Sequence, residues 1–371
     1  MGRNAMPRIA YRLDPKPSGG FHLGREGLEQ EASAETFPSD SLFAALIFTL
    51  VQLEGADYAE HYVSSQWPQA DQMVEPPFRL SSLFPCAGDL CLFPMPRPLH
   101  SPKGEGRPST AKLFKHLKFV SPEVLHRLLA GDGMDDWLSE DNLGSQGALL
   151  QGGQVWISRR ELSQLPTGWR KRDGEELKRT TLWKSEPVPR VTIDRITNSS
   201  QIYHVGRTSF AEGCGLWLLA DVYSDTEKEW LEILLEHLAD QGIGGERSSG
   251  YGTFSFTEIT APHLPSHDRA QRVMTLSRYN PTRSELEAGV LGEGASYELV
   301  DVGGWLSTPH GPPQRRRRVR MIEAGSILVT ATTTITGQVV DVCPDYDQPG
   351  APDHPVYRSG IALTVGVTGG D

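Results

Sequence analysis

The sequence is short of cysteine, of long apolar runs and of net positive charge, and each shortage excludes something. Four cysteines in 371 residues (Cys86, Cys91, Cys214 and Cys343) are too few and too scattered for a disulfide framework. Cys86 and Cys91 have no second pair and no nearby histidine to complete a zinc site, so reduced thiols in a core are expected. The longest apolar run, residues 42–53, is interrupted by Thr49 and Gln52. It is far below the roughly 18 residues that a membrane-spanning helix needs. The first residues, MGRNAMPRIAYRL, lack the apolar stretch of an export signal, which leads to an expected cytoplasmic location.

Positive charge is also scarce. There are 36 Lys and Arg against 47 Asp and Glu, a net charge of −11. That balance argues against a free-standing nucleic-acid binder, which is usually basic. The charge is unevenly spread, however. Residues 26–60 carry eight acids and no Lys or Arg; residues 103–118 carry Lys103, Arg107, Lys112, Lys115 and Lys118 against Glu105; residues 315–320 read RRRRVR. An acidic body with local basic patches fits one face for a polyanion and another for a partner protein.

The apolar pattern gives a coarse order of elements. Residues 8–14 alternate as a first strand. Ser39 or Asp40 can cap a helix over 42–53, whose nearly continuous apolar residues predict burial on more than one side. Residues 76–98 suggest proline-broken edge strands. The stretch from 103 to about 186 is polar, with one clear helix at 122–129, and reads as a partly mobile insertion. Strands follow at 190–196 and 216–223, with another candidate at 201–205. A strong amphipathic helix spans 225–239, with Thr226 and Glu229 in a capping-box spacing. A glycine-rich loop and a strand at 253–259 close the unit. This order matches the split βαβ, ferredoxin-like arrangement. The proline-containing segment 261–267 marks a boundary. A second, smaller unit follows, with a strand at 272–279, a short helix at 282–288, and strands near 296–302, 326–335 and 360–367.

The loop GIGGERSSGYG (242–252) is the most informative feature, with five glycines in eleven residues. Glycines permit positive φ and close backbone approach, and successive exposed N–H groups form anion-binding nests. Arg247, Ser248, Ser249 and Tyr251 add donors and one ring for stacking. The loop joins a helix to a strand, so neither a P-loop nor a Rossmann fingerprint fits. From these residues alone it is either an anion cradle or a tight packing connection.

At these residues the chain resembles a known family. GIGGERSSGYG before a final strand is similar to the glycine-rich loop of RAMP proteins, the RRM-like subunits of CRISPR effector complexes. PSDSLFAALIFTL, FHLG (21–24), KHLKFVSPE (115–123), RVTIDRITNSSQIYHV (190–205), RMIEAGSILV with GQVVDV, and HPVYRSGIALTVGV resemble one branch of it in the right order. That branch is the fourth-subunit family of type III-A (Csm) complexes, in the Cas-five group. The resemblance covers most of residues 7–368 and implies an α+β fold of two ferredoxin-like, RRM-like RAMP domains. The first would span 1–260, with the insertion at about 103–186. The second, smaller and degenerate, would span 268–371.

The resemblance further implies a crRNA-binding cap subunit that holds the 5′ handle of the crRNA in antiviral defence. Its partners would be the large Cas ten subunit, the adjacent backbone RAMP subunit and other Csm subunits, with no membrane, cofactor, metal or catalytic role. Phosphates are held by Arg, Lys and backbone N–H groups, and splayed bases by aromatic rings. Candidate contacts are therefore Gly244, Gly245, Arg247, Ser248, Ser249, Gly250 and Tyr251; Lys112, Lys115 and Lys118, spaced to share one side of a helical turn; Arg190, Arg195 and Asn198; and His22. Arg315 to Arg318 and Arg320 are a weaker candidate.

Two other classes remain open. A RAMP-fold crRNA-processing endoribonuclease would need a general base, for which His22 is best placed, with His100, His116 and His204 behind it. Asp345 and Asp347 are spaced like metal ligands but sit on a proline-rich turn with no third partner. A purely protein-docking scaffold would use the acidic stretch 26–60. A type III-B cap subunit is a neighbouring alternative.

Overall fold

The computed structural model describes residues 8–16, 19–24, 32–70, 72, 74–97, 108–134, 137–138, 146–194, 196, 199–266, 270–306, 314–330, 335–344 and 354–369. The chain opens with β1 (Arg8–Pro15), α1 (Ser39–Glu54), α2 (Ala56–Gln66), β2 (Phe78–Leu80), β3 (Phe84–Ala87) and β4 (Leu90–Cys91). A middle group comprises β5 (Phe93–Pro94), α3 (Pro108–His116), β6 (Phe119–Val120), α4 (Pro122–Ala130), β7 (Gly147–Leu150), β8 (Val155–Ser158) and α5 (Gly174–Arg179). Next come β9 (Trp183–Ile193), β10 (Ser200–Phe210), β11 (Cys214–Val222), α6 (Asp225–Gln241) and β12 (Phe254–Ile259). The last part holds β13 (Arg272–Thr275), α7 (Arg283–Glu287), β14 (Leu299–Val302), β15 (Trp305–Leu306), β16 (Gln314–Arg315), β17 (Val319–Ile322), β18 (Ile327–Val329), β19 (Val339–Asp341), β20 (Tyr357–Ser359) and β21 (Thr364–Val367).

The central sheet runs β12-β1-β11-β3-β4, with β2 also paired to β11, and its pairings are antiparallel. Strand β11 is buried along its whole length. A strand covered on both faces reads as a continuous apolar run, which is why LWLLADV scarcely alternates. Its side chains nevertheless divide by the two-residue period. Leu216, Leu218 and Ala220 join Tyr11 and Leu13 of β1 under α1 and α6. Trp217 and Leu219 face a second core on the other side.

That second core takes in much of the stretch 103–186. Its described residues form a packed unit, with a four-stranded sheet β5-β6-β8-β7 in which β6 and β8 are parallel. Phe119, Val120, Leu149, Trp156 and Leu165 are buried in one cluster with Trp217 and with Leu363 and Val365 of the last part. The apolar residues come in runs too short to stand out from a polar average. Each fully buried Leu or Phe contributes about 1.5–3 kcal/mol, so the stretch is a cover for the central sheet.

Helix α1 packs against α2, α6 and β20, in line with burial on more than one side, and leaves Phe48 47% and Leu53 36% exposed. Other expectations shift. Neither Ser39 nor Asp40 caps it: Pro38 holds the N-cap position without a side-chain bond, and both polar residues face inward. On α6 the cap is Ser224, which accepts from Glu227 N at 3.3 Å, two residues before the expected Thr226. Residues 190–193 belong to a longer strand, β9, which pairs only with β10 as a two-stranded ribbon outside the central sheet. Cys86 and Cys91 face each other across β3 and β4 as free, buried thiols. Burial pushes the Cys86 thiol up to about 12, which keeps it protonated. Among the described residues no helix is long and apolar enough to cross a membrane.

One contact between the middle group and the linker makes stability depend on pH. His126 on α4 stacks on His263, with ring centroids 5.6 Å apart and planes 23° apart. Burial, then the His263 charge, lowers the His126 pKa from its ordinary value. The unfolded chain therefore takes up this proton first as pH falls, and stability is lost below about pH 6.5. The fall in melting temperature between pH 7.5 and 5.5 should shrink in His126→Phe. An unchanged fall in that variant would remove His126 as the cause.

Candidate nucleic-acid interface

The antiparallel pairing of β1 with β12 places Pro15 opposite Phe254. The loop leaving β1 therefore meets the glycine-rich loop entering β12. Gly245 N donates to His22 O at 2.9 Å, and Gly252 N donates to Gly20 O at 2.9 Å. The root of the β9–β10 ribbon is tied in from the other side. Phe21 and Thr208 exchange two backbone hydrogen bonds of 2.8 Å each. Three segments distant in sequence thus form one junction.

The glycines permit the approach. Gly244 has φ +82°, and a Cβ there would lie 2.3 Å from His22 O. Gly252 has φ +85°, with the added Cβ 2.1 Å from Ile243 O. Both conditions exclude a side chain. Gly250 differs: its φ is +83°, but a Cβ would meet nothing within 4 Å. One non-glycine, Glu246, also takes a left-handed conformation, with φ 57°.

On this scaffold Arg247, Ser248, Ser249 and Gly250 form a short exposed turn. The Arg247 guanidinium lies 5.7 Å from the ring centre of Phe48 on α1. Tyr251 is only 4% exposed, and Arg190 of β9 covers it, 5.1 Å from the ring centre. Its ring is thus a support for Arg190, in place of the open stacking surface expected. Arg207 of β10 pairs with Glu186 at 2.8 Å. The Nε atoms of Arg190 and Arg207 are buried without a partner among the described residues. A buried guanidinium N–H without a partner is uncommon in a folded chain and marks the spot, while the other guanidinium nitrogens are the ones placed to meet a phosphate.

His22 also points inward. It is 9% exposed, and its Nδ1 lies 2.7 Å from Gly206 O. A carbonyl only accepts, so Nδ1 carries the proton and the ring spaces the loop from the ribbon. Gly245 backs that ring, since a Cβ there would stand 2.6 Å from His22 Cδ2.

The structure thus brings together Gly244, Gly245, Arg247, Ser248, Ser249, Gly250, Tyr251, His22 and Arg190. The lysines are placed differently. Lys112 and Lys115 are exposed on α3, but the helix ends at His116. Lys118 lies beyond it and pairs with the buried Glu35 at 2.7 Å, so the three do not share a helical face. Arg195 and Asn198 lie outside the described residues, as do Asp345 and Asp347. Sequence reading missed Gly19 and Gly20, Arg207 and Phe48. The glycine pair was a signal for close approach: a Cβ on Gly19 would sit 2.9 Å from Gly250 O. Among the described residues no group of three or more His, Cys, Asp or Glu is placed to hold a metal.

Comparison with known proteins points in the same direction as the sequence. A model of the CRISPR Csm4 C-terminal domain matches residues 268–367. A Mycobacterium tuberculosis protein named CRISPR system Cms protein Csm4 is 28% identical over 340 residues, 91% of each chain. A protein of the same name from Methanocaldococcus jannaschii is 26% identical over 356 residues, 90% of this chain and 89% of the relative. Residues 268–367 thus match the Csm4 C-terminal domain, and the chain is similar over most of its length to proteins named Csm4. The same mixed α/β fold as in Csm4 structures is seen in the Csm3-Csm4 subcomplex of the type III-A CRISPR-Cas interference complex. There the TM-score is 0.64 at 19% identity, covering 96% of this chain and 98% of the other. A Csm1-Csm4 cassette in complex with cA4 gives 0.53 at 18% identity, covering 98% and 100%. At these identities the structural likeness speaks for the fold alone.

Proposed function

We propose that the chain is the non-catalytic cap subunit of a type III-A Csm complex. In this reading it holds the 5′ handle of the crRNA at the glycine-loop junction. It docks the large Cas ten subunit, represented by Csm1 in the cassette, and an adjacent Csm3-type backbone subunit. The observation that carries the reading is the junction itself. Two loops and a ribbon root converge, the Arg247 turn stays exposed, and Arg190 and Arg207 keep open buried donors beside it. Backbone N–H groups and guanidinium forks positioned by a rigid support are suited to phosphates. The sheet order, with the last strand beside the first and α1 and α6 on one face, supports reading the first unit as ferredoxin-like. The inward ring of His22 favours a holding role over a general base. The acidic stretch 26–60 is left for protein partners.

The test is ultraviolet crosslinking of the assembled complex, with crosslinked peptides and nucleotides mapped together. Crosslinks from residues 242–252 to the handle are the expected result. Arg247→Glu is expected to lower crRNA retention about tenfold or more without unfolding the chain, since its side chain is exposed. Normal retention in a correctly assembled variant complex would sink the assignment, leaving a protein-docking scaffold.

A further inference from the structure

The arginine run at 315–318 separates into different roles once folded. Arg316 turns inward: its Nε is buried without a partner among the described residues, and burial, then neighbouring Arg358, pulls its pKa down to about 10. Arg320 is taken by Asp301 at 3.0 Å, and Arg317 stands 3.7 Å from Asp341. Arg315 and Arg318 remain on the exposed surface. Across the short β15–β16 ladder Arg315 is the register partner of Trp305. Its guanidinium lies 4.8 Å from the Trp305 ring centre. Trp305 itself is 59% exposed, in a chain whose Trp67, Trp156 and Trp217 are fully buried.

An indole left in water beside a guanidinium has the composition of a stacking platform for a nucleobase. The local charge agrees. Four exposed arginines (Arg315, Arg317, Arg318, Arg320) fall within six residues, on a chain whose net charge is −11. We propose that the β15–β16 hairpin is a second contact for single-stranded RNA, separate from the glycine loop. One base stacks on Trp305, and Arg315 and Arg318 hold the adjoining phosphates. In single-stranded RNA every nucleotide carries both a flat base for Trp305 and a phosphate for the arginines, so RNA accounts for more of the surface than an acidic protein segment. The proposal does not depend on the glycine-loop reading.

The test uses the full chain and a fluorescent twelve-nucleotide uridine RNA, with binding followed by anisotropy against salt. Trp305→Ala is expected to weaken binding about tenfold, the scale of one lost stacked base, and Trp305→Tyr to restore most of it. Arg315→Glu with Arg318→Glu should reduce the slope of log affinity against log salt by about 1.4, two phosphates at roughly 0.7 each. The Trp305→Ala loss should persist in an Arg247→Glu background, which separates this site from the glycine loop. Unchanged melting temperature in Trp305→Ala would show that the fold is intact. In the assembled complex, 4-thiouridine placed in the crRNA or in a target strand would crosslink to Trp305 from whichever strand it holds. The proposal is overturned if the parent chain binds no RNA, if the Trp305 and arginine variants keep parental affinity and slope, or if neither strand crosslinks. Displacement by poly-glutamate from the parent with no effect of Trp305→Ala would likewise overturn it, in favour of an acidic protein partner.

Discussion

Replacing Asp40 with alanine is expected to cost about 3–5 kcal/mol of stability, on the order of 10 °C in melting temperature. Asp40 is wholly buried on the first turn of α1. Its Oδ1 accepts from Arg278 Nη1 at 3.2 Å and its Oδ2 from Arg358 Nη1 at 2.6 Å. Both arginine side chains are less than a tenth exposed and belong to the last part of the chain. The carboxylate thus clamps the second unit to the first. Arg278 also bonds Glu323, and Arg358 reaches Ser41 Oγ and Gly303 O, so the remaining donors are largely satisfied. Removing Asp40 leaves two guanidinium groups buried beside Arg316 without the carboxylate they share. Breaking such a group is far more costly than never having built it. Asp40→Asn keeps the volume but loses the charge, so it should lose most of the same stability. Asp40→Leu combined with Arg358→Met should recover part of the loss, because one of the two stranded guanidinium groups goes with the carboxylate and Arg278 keeps Glu323. A loss below about 1 kcal/mol in Asp40→Ala would show that the clamp is not needed.

The clamp also shows where the sequence stops being informative. PSDSLF carries an obvious capping candidate, and local reasoning assigns Asp40 to the helix end. Its real partners are more than 200 residues away, and no local pattern announces them. Where spacing is local, the reading transfers well. The first strand, α4, α6 and α7 fall within a few residues of expectation. The middle sheet was hidden because β5 and β6 are two residues long, too short for any periodicity to register. Within the interface, glycine density reported close backbone approach but not what approached. The partner loop offers only Gly19 and Gly20, and Phe48 looks like any core residue of an apolar helix. The three lysines had helical spacing, yet the helix ends before Lys118, which instead neutralises Glu35.

The glycine loop gives the sharpest separation between fold and binding. Alanine at Gly244 or Gly252 must adopt a left-handed backbone, worth roughly 1–2 kcal/mol, and must also displace a carbonyl oxygen. The added Cβ would stand 2.3 Å from His22 O in the first case and 2.1 Å from Ile243 O in the second. The junction has to open, which moves the Arg247 turn away from Arg190 and Arg207. Gly250→Ala carries the same backbone strain, with φ +83°, but its Cβ enters open space. The three variants therefore share one cost and differ in the other. On the proposed RNA-holding role, Gly244→Ala and Gly252→Ala should lose crRNA retention tenfold or more, while Gly250→Ala stays within about threefold of the parent. Circular dichroism and melting curves would be recorded on the same samples, so that global unfolding is distinguished from a local opening. Retention equal to the parent in a folded Gly244→Ala variant would mean that the tight junction serves packing alone. Equal losses in all three would instead point to the turn at Gly250 as the part that RNA touches, with the close approach beneath it merely holding that turn in place.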